Sequence, residues 1–574
     1  MNKLKVFLLL LIITIPSFIS LLNNNYFPMH DDQHIARLYL LDQGIRQGSI
    51  YPRWVDTLGF NLGYPLFNFY PPLIYYTAEI FHLFGFSLIW SIKLMVITGL
   101  LLGALGIYLL TKKVTNTWPA VLSTVLYTFF SYHAVLVYVR GAFAEFFAMS
   151  ILPFVLLATI NLSKKIDRKN STLLGISFAL LILAHPLIAL PSLFFIGAFF
   201  IYYFATTQEK IKYAIHFILG SIFGLLLSAF FWLPSMVERK YTLIDEILTR
   251  ELASYKVHYV YPGQFLYSPW GFGGSLPGPI DGMSFQLGKV HIILAISSLI
   301  LFLFFAILLV RSKRKNPDGF FLLVLFLSVF SLFLTTDYAS LIWDNISYLW
   351  YLQFPWRFLT FAGIFMAITG GYFIYFLNKT INKNFKVMIV STIILSLITA
   401  GIYQKYFKPS RYIATTDKEL TSFDEIAWRV SRTSFEFIPK GVKTTKSDLN
   451  TTIPAIDKDH VVRVPYEIVE GTADVKQTEN NDNKKSFNVT SEVPIKFRLN
   501  TYNFPGWAAY LDNQKVPIND LDDFKRITIQ IPSGNHTARF TFQNTPVRTV
   551  GDVISIISFI LLPSILLIKR KHVS

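Results

Sequence analysis

The chain has 574 residues, of which 53% are hydrophobic, 16% aromatic and only 15% charged. Soluble domains carry about 25% charged residues, so this composition indicates a polytopic membrane protein. The formal net charge of +17 comes from short basic clusters between apolar segments, which topology selection produces, and we expect no nucleic-acid partner. The absence of cysteine excludes disulfides, thiolate metal sites and a cysteine nucleophile.

The apolar residues form segments of about 17 to 25 residues, the length of helix that crosses ~30 Å of hydrocarbon. We predict about twelve transmembrane helices, near residues 5–22, 88–111, 118–137, 146–162, 171–185, 187–205, 213–234, 290–310, 319–336, 358–378, 387–403 and 550–568. The first segment ends without a small-residue cleavage motif, so we interpret it as a retained helix rather than a signal peptide.

The basic clusters predict the orientation of these helices, because all of them fall on one side of the alternating topology. They contain Lys3, Lys5, Lys112, Lys113, Lys164, Lys165, Arg168, Lys169, Lys210, Lys212, Arg311, Lys313, Arg314, Lys315, Lys379, Lys383, Lys386, Lys569, Arg570 and Lys571. By the positive-inside rule this side is the cytoplasm. We expect a multi-pass plasma-membrane protein with cytoplasmic termini and with outer connections at 23–87, 138–145, 235–289, 337–357 and 404–549.

The first outer loop, 23–87, opens with two adjacent carboxylates, Asp31 and Asp32, flanked by His30 and His34. Paired acids at a membrane face indicate a functional site. The alternative is that one of them caps a following helix and complements its dipole. Ile35, Leu38 and Leu41 recur at helical spacing beside Arg37, which predicts an amphipathic helix lying in the membrane interface.

An aromatic stretch follows at 63–76, where three prolines preclude a regular helix through 65–72. Tyr64 and Tyr70 belong to this stretch. Such aromatic density is typical either of the interfacial belt or of a platform on which a sugar ring stacks.

Four further residues carry charge or a titratable ring at the outer ends of predicted spans. Arg140 and Glu145 either form a structural pair or bind a charged ligand. His185 suits contact with a phosphate or carboxylate, although a membrane histidine often only hydrogen-bonds between helices. Arg357 can direct its guanidinium at a lipid phosphate and is the best phosphate-binding candidate.

The segment 404–549 lacks the long apolar segments of the preceding chain. Instead, it contains short runs of alternating polar and β-branched residues that are separated by turn residues. This pattern predicts an extracytoplasmic antiparallel β-sandwich between the eleventh and twelfth spans. The acidic, Asn-rich tract 478–483 within it is predicted to be a mobile loop. The resulting division is a transmembrane domain at 1–403, the β-domain at 404–549, and a last helix with a basic cytoplasmic tail at 550–574.

Taken together, these features resemble the GT-C class of integral-membrane glycosyltransferases. More closely, the chain resembles the bacterial membrane proteins labelled "6-pyruvoyl-tetrahydropterin synthase-related", although no residue suggests pterin chemistry. The motifs that carry this resemblance are His30-Asp31-Asp32, Gly63-Tyr64-Pro65, Phe69-Tyr70-Pro71-Pro72, Arg140-Gly141 with Glu145, and Phe354-Pro355-Trp356-Arg357-Phe358. The C-terminal region from Tyr502 to Gly551 is similar to YfhO-type membrane proteins.

The resemblance implies transfer of a sugar from a polyprenyl-phosphate donor, on the outer face, to a glycan, lipid or protein acceptor. Asp31 or Asp32 would then take the acceptor proton, or the pair would hold a divalent cation, Mg²⁺ or Mn²⁺. Arg357, with Arg140 or His185, would stabilise the departing phosphate. The remaining candidate ligands for substrate or phosphate are His30, His34, Arg37 and Glu145.

Two other functional classes stay open at this point. A transporter or flippase of lipid-linked saccharides would also carry polar residues in its membrane domain, but the sequence shows no obvious internal repeat. A non-catalytic membrane scaffold could use the β-domain to bind glycans.

Overall fold

The computed structural model describes residues 3–248, 253–311, 318–380, 385–434, 436–447, 451–456 and 458–567. Its longer helices are α1 (Lys3–Phe18), α2 (His34–Arg46), α3 (Leu73–Leu83), α4 (Leu88–Val114), α5 (Thr117–Thr128), α6 (Phe143–Lys164), α7 (Arg168–Ala184), α8 (Pro186–Thr206), α9 (Lys210–Leu227), α10 (Ala229–Glu238), α11 (Lys289–Arg311), α12 (Gly319–Thr335), α13 (Leu359–Thr380), α14 (Phe385–Tyr403) and α15 (Pro546–Leu567). Shorter α-helical turns lie at Leu58–Asn61, Leu66–Phe69, Ser131–Ala134, Ile244–Ile247, Pro262–Leu266, Ser340–Asn345, Asp417–Leu420 and Ser431–Thr433, and π-helical turns at Val135–Arg140 and Glu425–Val430.

The number of membrane-length helices agrees with the sequence prediction. Within the described ranges, nine helices are long and apolar enough to cross a membrane, or eleven if two bent pairs each form one span. One pair joins α5 to Ser131–Arg140 with a bend of 43°, and the other joins α12 to Asp337–Asn345 with a bend of 92°. The remaining predicted span, 171–185, coincides with α7, which has 17 residues. Of the basic residues used for orientation, Lys313, Arg314, Lys315, Lys383, Lys569, Arg570 and Lys571 lie outside the described residues.

Two helices form the centre of the bundle. The most apolar windows of α6 and of the span that contains α13 are each 89% buried, whereas those of α9 and α14 are 22% and 17% buried and face outward. Small residues let the central helices approach their neighbours: a Cβ on Gly371 of α13 would lie 2.7 Å from the Pro119 carbonyl oxygen of α5. The candidate residues Glu145 and Arg357 lie at the N-terminal ends of these buried spans.

The C-terminal region contains ten strands, a short hairpin of β1 (Thr445–Ser447) and β2 (Thr451–Ala455), and then β3 (Tyr466–Glu470), β4 (Asp474–Asn481), β5 (Lys484–Ser491), β6 (Ile495–Tyr502), β7 (Trp507–Leu511), β8 (Gln514–Val516), β9 (Arg526–Ile531) and β10 (Gly534–Phe542), within the described residues. Strands β3 to β10 form two antiparallel sheets, one ordered β4-β5-β10-β7-β8 and one ordered β3-β6-β9. Phe497 of the smaller sheet packs on Phe487 and Phe540 of the larger sheet, with centroid distances of 5.2 and 5.9 Å. This face-to-face packing confirms the predicted polytopic helical fold with an antiparallel β-sandwich.

The segment 404–434 differs from the prediction, because it contains helical turns rather than strands and covers the first outer loop. Tyr26 pairs with Ile413 through two backbone hydrogen bonds, and the Gln33 side chain donates to the Thr433 carbonyl at 3.1 Å. The predicted helix exists as α2, but most of its residues are buried within the protein, so it does not present the broad exposed face of an amphipathic surface helix. The segment 404–434 contributes to this burial, because it contacts the N-terminal end of α2.

The tract 478–483 is also more ordered than predicted, because it belongs to the β4–β5 hairpin and contacts the first outer loop. The Asp482 backbone N–H donates to Gln47 Oε1 at 2.9 Å, and Lys485 forms an ion pair with Asp56. Burial, together with the nearby Asp56 charge, raises the pKa of Asp482 to about 8. Asp482 is therefore protonated in the folded protein at neutral pH.

This raised pKa predicts a pH-dependent stability. The proton on Asp482 stabilises the fold fully below the ordinary pKa of about 4, and the contribution is lost progressively as the pH rises to about 8. We expect the unfolding temperature of the wild type to fall relative to that of Asp482→Asn between pH 6 and pH 9. Parallel curves for the two proteins in thermal unfolding experiments would contradict the assignment.

Candidate active site

The segment that carries the two aspartates is fixed by backbone contacts to the bent span after α5. The His30 and Asp31 N–H groups donate to the Val139 and Arg140 carbonyls at 3.1 and 2.8 Å. The following residue, Gly141, has a φ of +67°, and a Cβ there would collide with the Met29 side chain. The Arg140-Gly141 motif therefore places Asp31 beside Arg140 through the backbone.

Gly141→Ala should destabilise this contact. We expect a loss of at least about 2 kcal/mol, because a left-handed non-glycine residue costs roughly 1 to 2 kcal/mol and the collision with Met29 adds to it. Gly197→Ala is the matched control, because Gly197 lies in α8 with open space around its Cα. Thermal unfolding should separate the two variants, and equal stability would show that the 29–34 segment does not depend on Gly141.

The structure gives the two adjacent aspartates different environments. Asp32 is half-buried, accepts a hydrogen bond from the Tyr26 hydroxyl and lies 3.7 Å from Arg429 Nη1. Burial raises the pKa of Asp32, and the Tyr26 hydrogen bond and the Arg429 charge oppose the rise. Asp31 is exposed, and its carboxylate has no hydrogen-bond or ion-pair partner in the part of the chain that the structure describes. Asp31 is therefore the carboxylate that is open to a ligand.

Neither aspartate caps α2. The N-cap residue is Gln33, and no side chain there bonds to the first turn of the helix. The helix-cap alternative for the aspartate pair is wrong.

Beside Asp31, two arginines share one buried carboxylate. Glu145, which is 1% exposed, lies 2.9 Å from Arg140 Nη1 and 3.3 Å from Arg357 Nε. The hydroxyl groups of Tyr132 and Thr360 also donate to Glu145, at 2.6 and 3.1 Å. Glu145 is thus fully occupied as an acceptor, and the cluster keeps one surplus positive charge.

Arg357 has unused hydrogen-bonding capacity. Its Nε and Nη1 atoms are buried and have no acceptor in hydrogen-bond geometry among the residues described. The Asp31 carboxylate is close enough to interact electrostatically with both Arg357 and Arg140. A buried donor without an acceptor costs about 1 to 3 kcal/mol, and a guanidinium in this state is suited to a phosphate oxygen.

Arg37 and Glu436 are a second set of opposite charges that interact with each other, and Glu436 also interacts with Asp31. Arg37 is buried, donates to Ser434 Oγ at 2.5 Å and lies over the Tyr70 ring at 4.0 Å. Burial raises the pKa of the Glu436 carboxyl, while the Arg37 charge lowers it and the Asp31 charge raises it. Sequence reasoning missed Glu436, because it lies in the segment assigned to the β-domain and belongs to no recognisable motif.

The histidines have different surroundings. His34 is buried, with Nε2 2.6 Å from the Gly141 carbonyl oxygen and Nδ1 3.1 Å from the Tyr75 hydroxyl. Burial lowers its pKa to about 4, so it is neutral and has no free nitrogen, which corrects its assignment as a phosphate ligand. His30 is exposed, with Nε2 3.0 Å from the Phe272 carbonyl oxygen. His185 lies in the turn between α7 and α8, where its Nδ1 accepts the Ile188 N–H at 3.1 Å and its ring lies close to the Arg357 charge.

The two candidate stacking residues do not form an open platform. The Tyr64 ring is fully buried and its hydroxyl accepts the Phe437 N–H at 3.4 Å, so it cannot contact a sugar. One face of the half-buried Tyr70 carries the Arg37 guanidinium. Tyr70 therefore packs against Arg37, and neither tyrosine offers a fully open ring face on which a sugar could stack.

The residues present do not fit a divalent cation at the aspartate pair. Asp32 is engaged with Tyr26 and Arg429, and the cations nearest Asp31 are arginines. Among the described residues, no group of three His, Asp or Glu side chains could hold a metal ion. The donor set around Asp31 suits an anionic ligand on guanidinium groups.

Comparisons with known proteins identify a family. A sequence model of the family described as "6-pyruvoyl-tetrahydropterin synthase related domain; membrane protein" matches residues 67–407. No curated protein matches the chain by sequence.

Solved structures give three further comparisons. The arabinofuranosyltransferase AftD from Mycobacteria has a TM-score of 0.46 and 11% identity, with 71% of this chain and 27% of that chain covered. The Archaeoglobus fulgidus oligosaccharyltransferase in the apo form has a TM-score of 0.42 and 11% identity, with 72% and 56% covered. The Archaeoglobus fulgidus oligosaccharyltransferase AglB, in complex with an inhibitory peptide and a dolichol-phosphate, has a TM-score of 0.40 and 13% identity, with 72% and 56% covered. The chain thus spans less than two thirds of each of these proteins.

Proposed function

Because the chain belongs to the family described as 6-pyruvoyl-tetrahydropterin synthase related membrane proteins, and because it holds a free carboxylate beside a cationic cluster, we propose that it is a GT-C-type membrane glycosyltransferase. Its donor would be a polyprenyl-phosphate sugar, and its acceptor a glycan, lipid or protein. The observation that carries the proposal is the pairing of Asp31, which has no partner within the described ranges, with the unsatisfied buried donors of Arg357.

The proposed reaction uses these groups in a single displacement. Asp31 takes the proton of the acceptor hydroxyl as the acceptor oxygen bonds to the anomeric carbon. The bond between that carbon and the phosphate oxygen breaks, and the polyprenyl phosphate departs with the electron pair. Arg357 and Arg140 stabilise the charge that develops on the phosphate, which their surplus positive charge favours.

A membrane environment suits this arrangement. The arginine cluster lies at the ends of the buried spans, where the phosphate of a lipid donor would lie at headgroup depth. His30 is exposed next to Asp31 and could contact the acceptor, while His185 lies on the Arg357 side of the site. Arg37 and Glu436 contribute further charges near Asp31.

The function can be tested on lipid-linked saccharides. Extracts of a deletion strain should accumulate a polyprenyl-phosphate sugar, and the purified protein in proteoliposomes should consume this donor and release polyprenyl phosphate. Movement of intact labelled donor across the bilayer would favour a flippase instead. Binding without consumption or movement would favour the glycan-binding scaffold.

The proposal also requires that the Asp31 site and the β-sandwich face outward. Because the chain has no native cysteine, single cysteines at Lys165 and Thr478, both exposed, report the topology directly. We expect an impermeant maleimide applied to intact cells to label Thr478→Cys and to label Lys165→Cys only after permeabilisation. Labelling of both from one side would overturn the orientation.

A further inference from the structure

A cavity of about 1330 Å³ opens at the end of the helix bundle, between the α6–α7 turn and the α8–α9 turn. It is separate from the Asp31 site. Glu145 lies in the first turn of α6 and Lys164, which lines the cavity, is the last residue of that helix. At 1.5 Å per residue, the two are about 29 Å apart along the helix axis.

The cavity has a surplus of positive charge. Its lining includes five cationic side chains and two carboxylates, and the carboxylates Asp167 and Glu209 pair with Lys165 and Lys212. The other three cations, Lys164, Arg168 and Lys169, have no carboxylate within ion-pair distance among the described residues. Lys164 Nζ donates only to the Lys113 carbonyl, at 3.2 Å. An anion would therefore meet three uncompensated charges at one wall.

The α9 wall, which also carries Lys212 and His216, is apolar toward its C-terminal half and continues into the exposed surface of that helix. Leu219 and Phe223 line the cavity, and Leu219 is 55% exposed. Next to it along the same helix, Ile211, Ile215, Ile218 and Ile222 are also exposed. A soluble phosphate compound would bind the cations but would not cover the apolar side chains of this wall.

The combination of a cationic wall and an apolar wall open to the membrane matches an amphiphile with an anionic head. We propose that the cavity binds an anionic phospholipid, with its phosphate at Lys164, Arg168 and Lys169 and an acyl chain along Leu219 and Phe223 of α9. Each cation near a phosphate headgroup contributes roughly fivefold to affinity, so headgroup charge should select the lipid.

Native mass spectrometry of the full-length protein tests this proposal, with phosphatidylglycerol and phosphatidylcholine of identical chains as probes. The wild type should retain phosphatidylglycerol preferentially, and Arg168→Gln/Lys169→Gln should lower this retention by about 25-fold. Lys405→Gln/Lys408→Gln is the matched control, because it removes two exposed cations from the segment after α14, and it should leave retention unchanged. Equal loss in both double variants, or no preference in the wild type, would overturn the proposal.

A second measurement separates the lipid from a soluble phosphate ligand. Glycerol 1-phosphate, which has the headgroup charge but no acyl chain, should not displace the bound phosphatidylglycerol, and Phe223→Ser should weaken lipid retention. Full displacement by glycerol 1-phosphate, with retention unaffected by Phe223→Ser, would show a site for soluble phosphates and contradict the lipid assignment.

Discussion

Replacing Asp31 by Asn is expected to lower glycosyl transfer by about 10² to 10⁴, the range for loss of a general base. Asparagine keeps the volume of the side chain and removes its charge and basicity. Because the Asp31 carboxylate is exposed and unpartnered within the described chain, the substitution breaks no contact that holds the fold. Turnover of the polyprenyl-phosphate sugar in proteoliposomes, with thermal unfolding in parallel, measures both effects.

Asp32→Asn should behave differently from Asp31→Asn. Asp32 accepts a hydrogen bond from Tyr26 and forms an ion pair with Arg429, so Asp32→Asn should mainly lower the unfolding temperature. The activity per folded molecule should be higher in Asp32→Asn than in Asp31→Asn. Asp474→Asn is the control for charge alone, because Asp474 is an exposed carboxylate of the β-sandwich. If Asp31→Asn keeps wild-type turnover, Asp31 is not the general base.

Replacing Glu145 by Gln should destabilise the protein by about 3 to 5 kcal/mol, the cost of leaving a buried charge without its partner. Arg140 and Arg357 both depend on this carboxylate, and both are buried. An amide can accept from only one of them in good geometry and carries no compensating charge. Chemical or thermal unfolding in detergent should show the loss.

Glu470→Gln is the matched control for this prediction. Glu470 also pairs with a cation, Lys496, but its side chain is 65% exposed, and exposed pairs contribute little to stability. A small effect for both variants would show that the arginines find other partners, which would weaken the case for a phosphate site at Arg357. A polyprenyl phosphate that binds there should restore part of the stability lost in Glu145→Gln, because it supplies the missing negative charge.

The sequence alone determined the features that depend on local composition. Hydrophobic length defines a membrane span without reference to any other part of the chain, so each of the twelve predicted segments coincides with a helix or a bent pair. Alternation of polar and apolar residues likewise predicted strands β5, β6, β9 and β10 of the sandwich, since side chains point to opposite faces of a strand in turn. The resemblance of the motifs led to the family that the match over 67–407 identifies.

The tertiary structure decided which of the candidate residues share a site. Asp31 and Asp32 are chemically identical neighbours, and only contacts from distant segments make one structural and leave the other free. Arg429, which is bound to Asp32, lies 397 residues further along the chain. The same long-range packing brings Glu436 to Arg37, buries Tyr64 and uses both ring nitrogens of His34. Burial and hydrogen-bond partners are set by contacts between residues far apart in sequence, so local patterns could identify these side chains but not their roles.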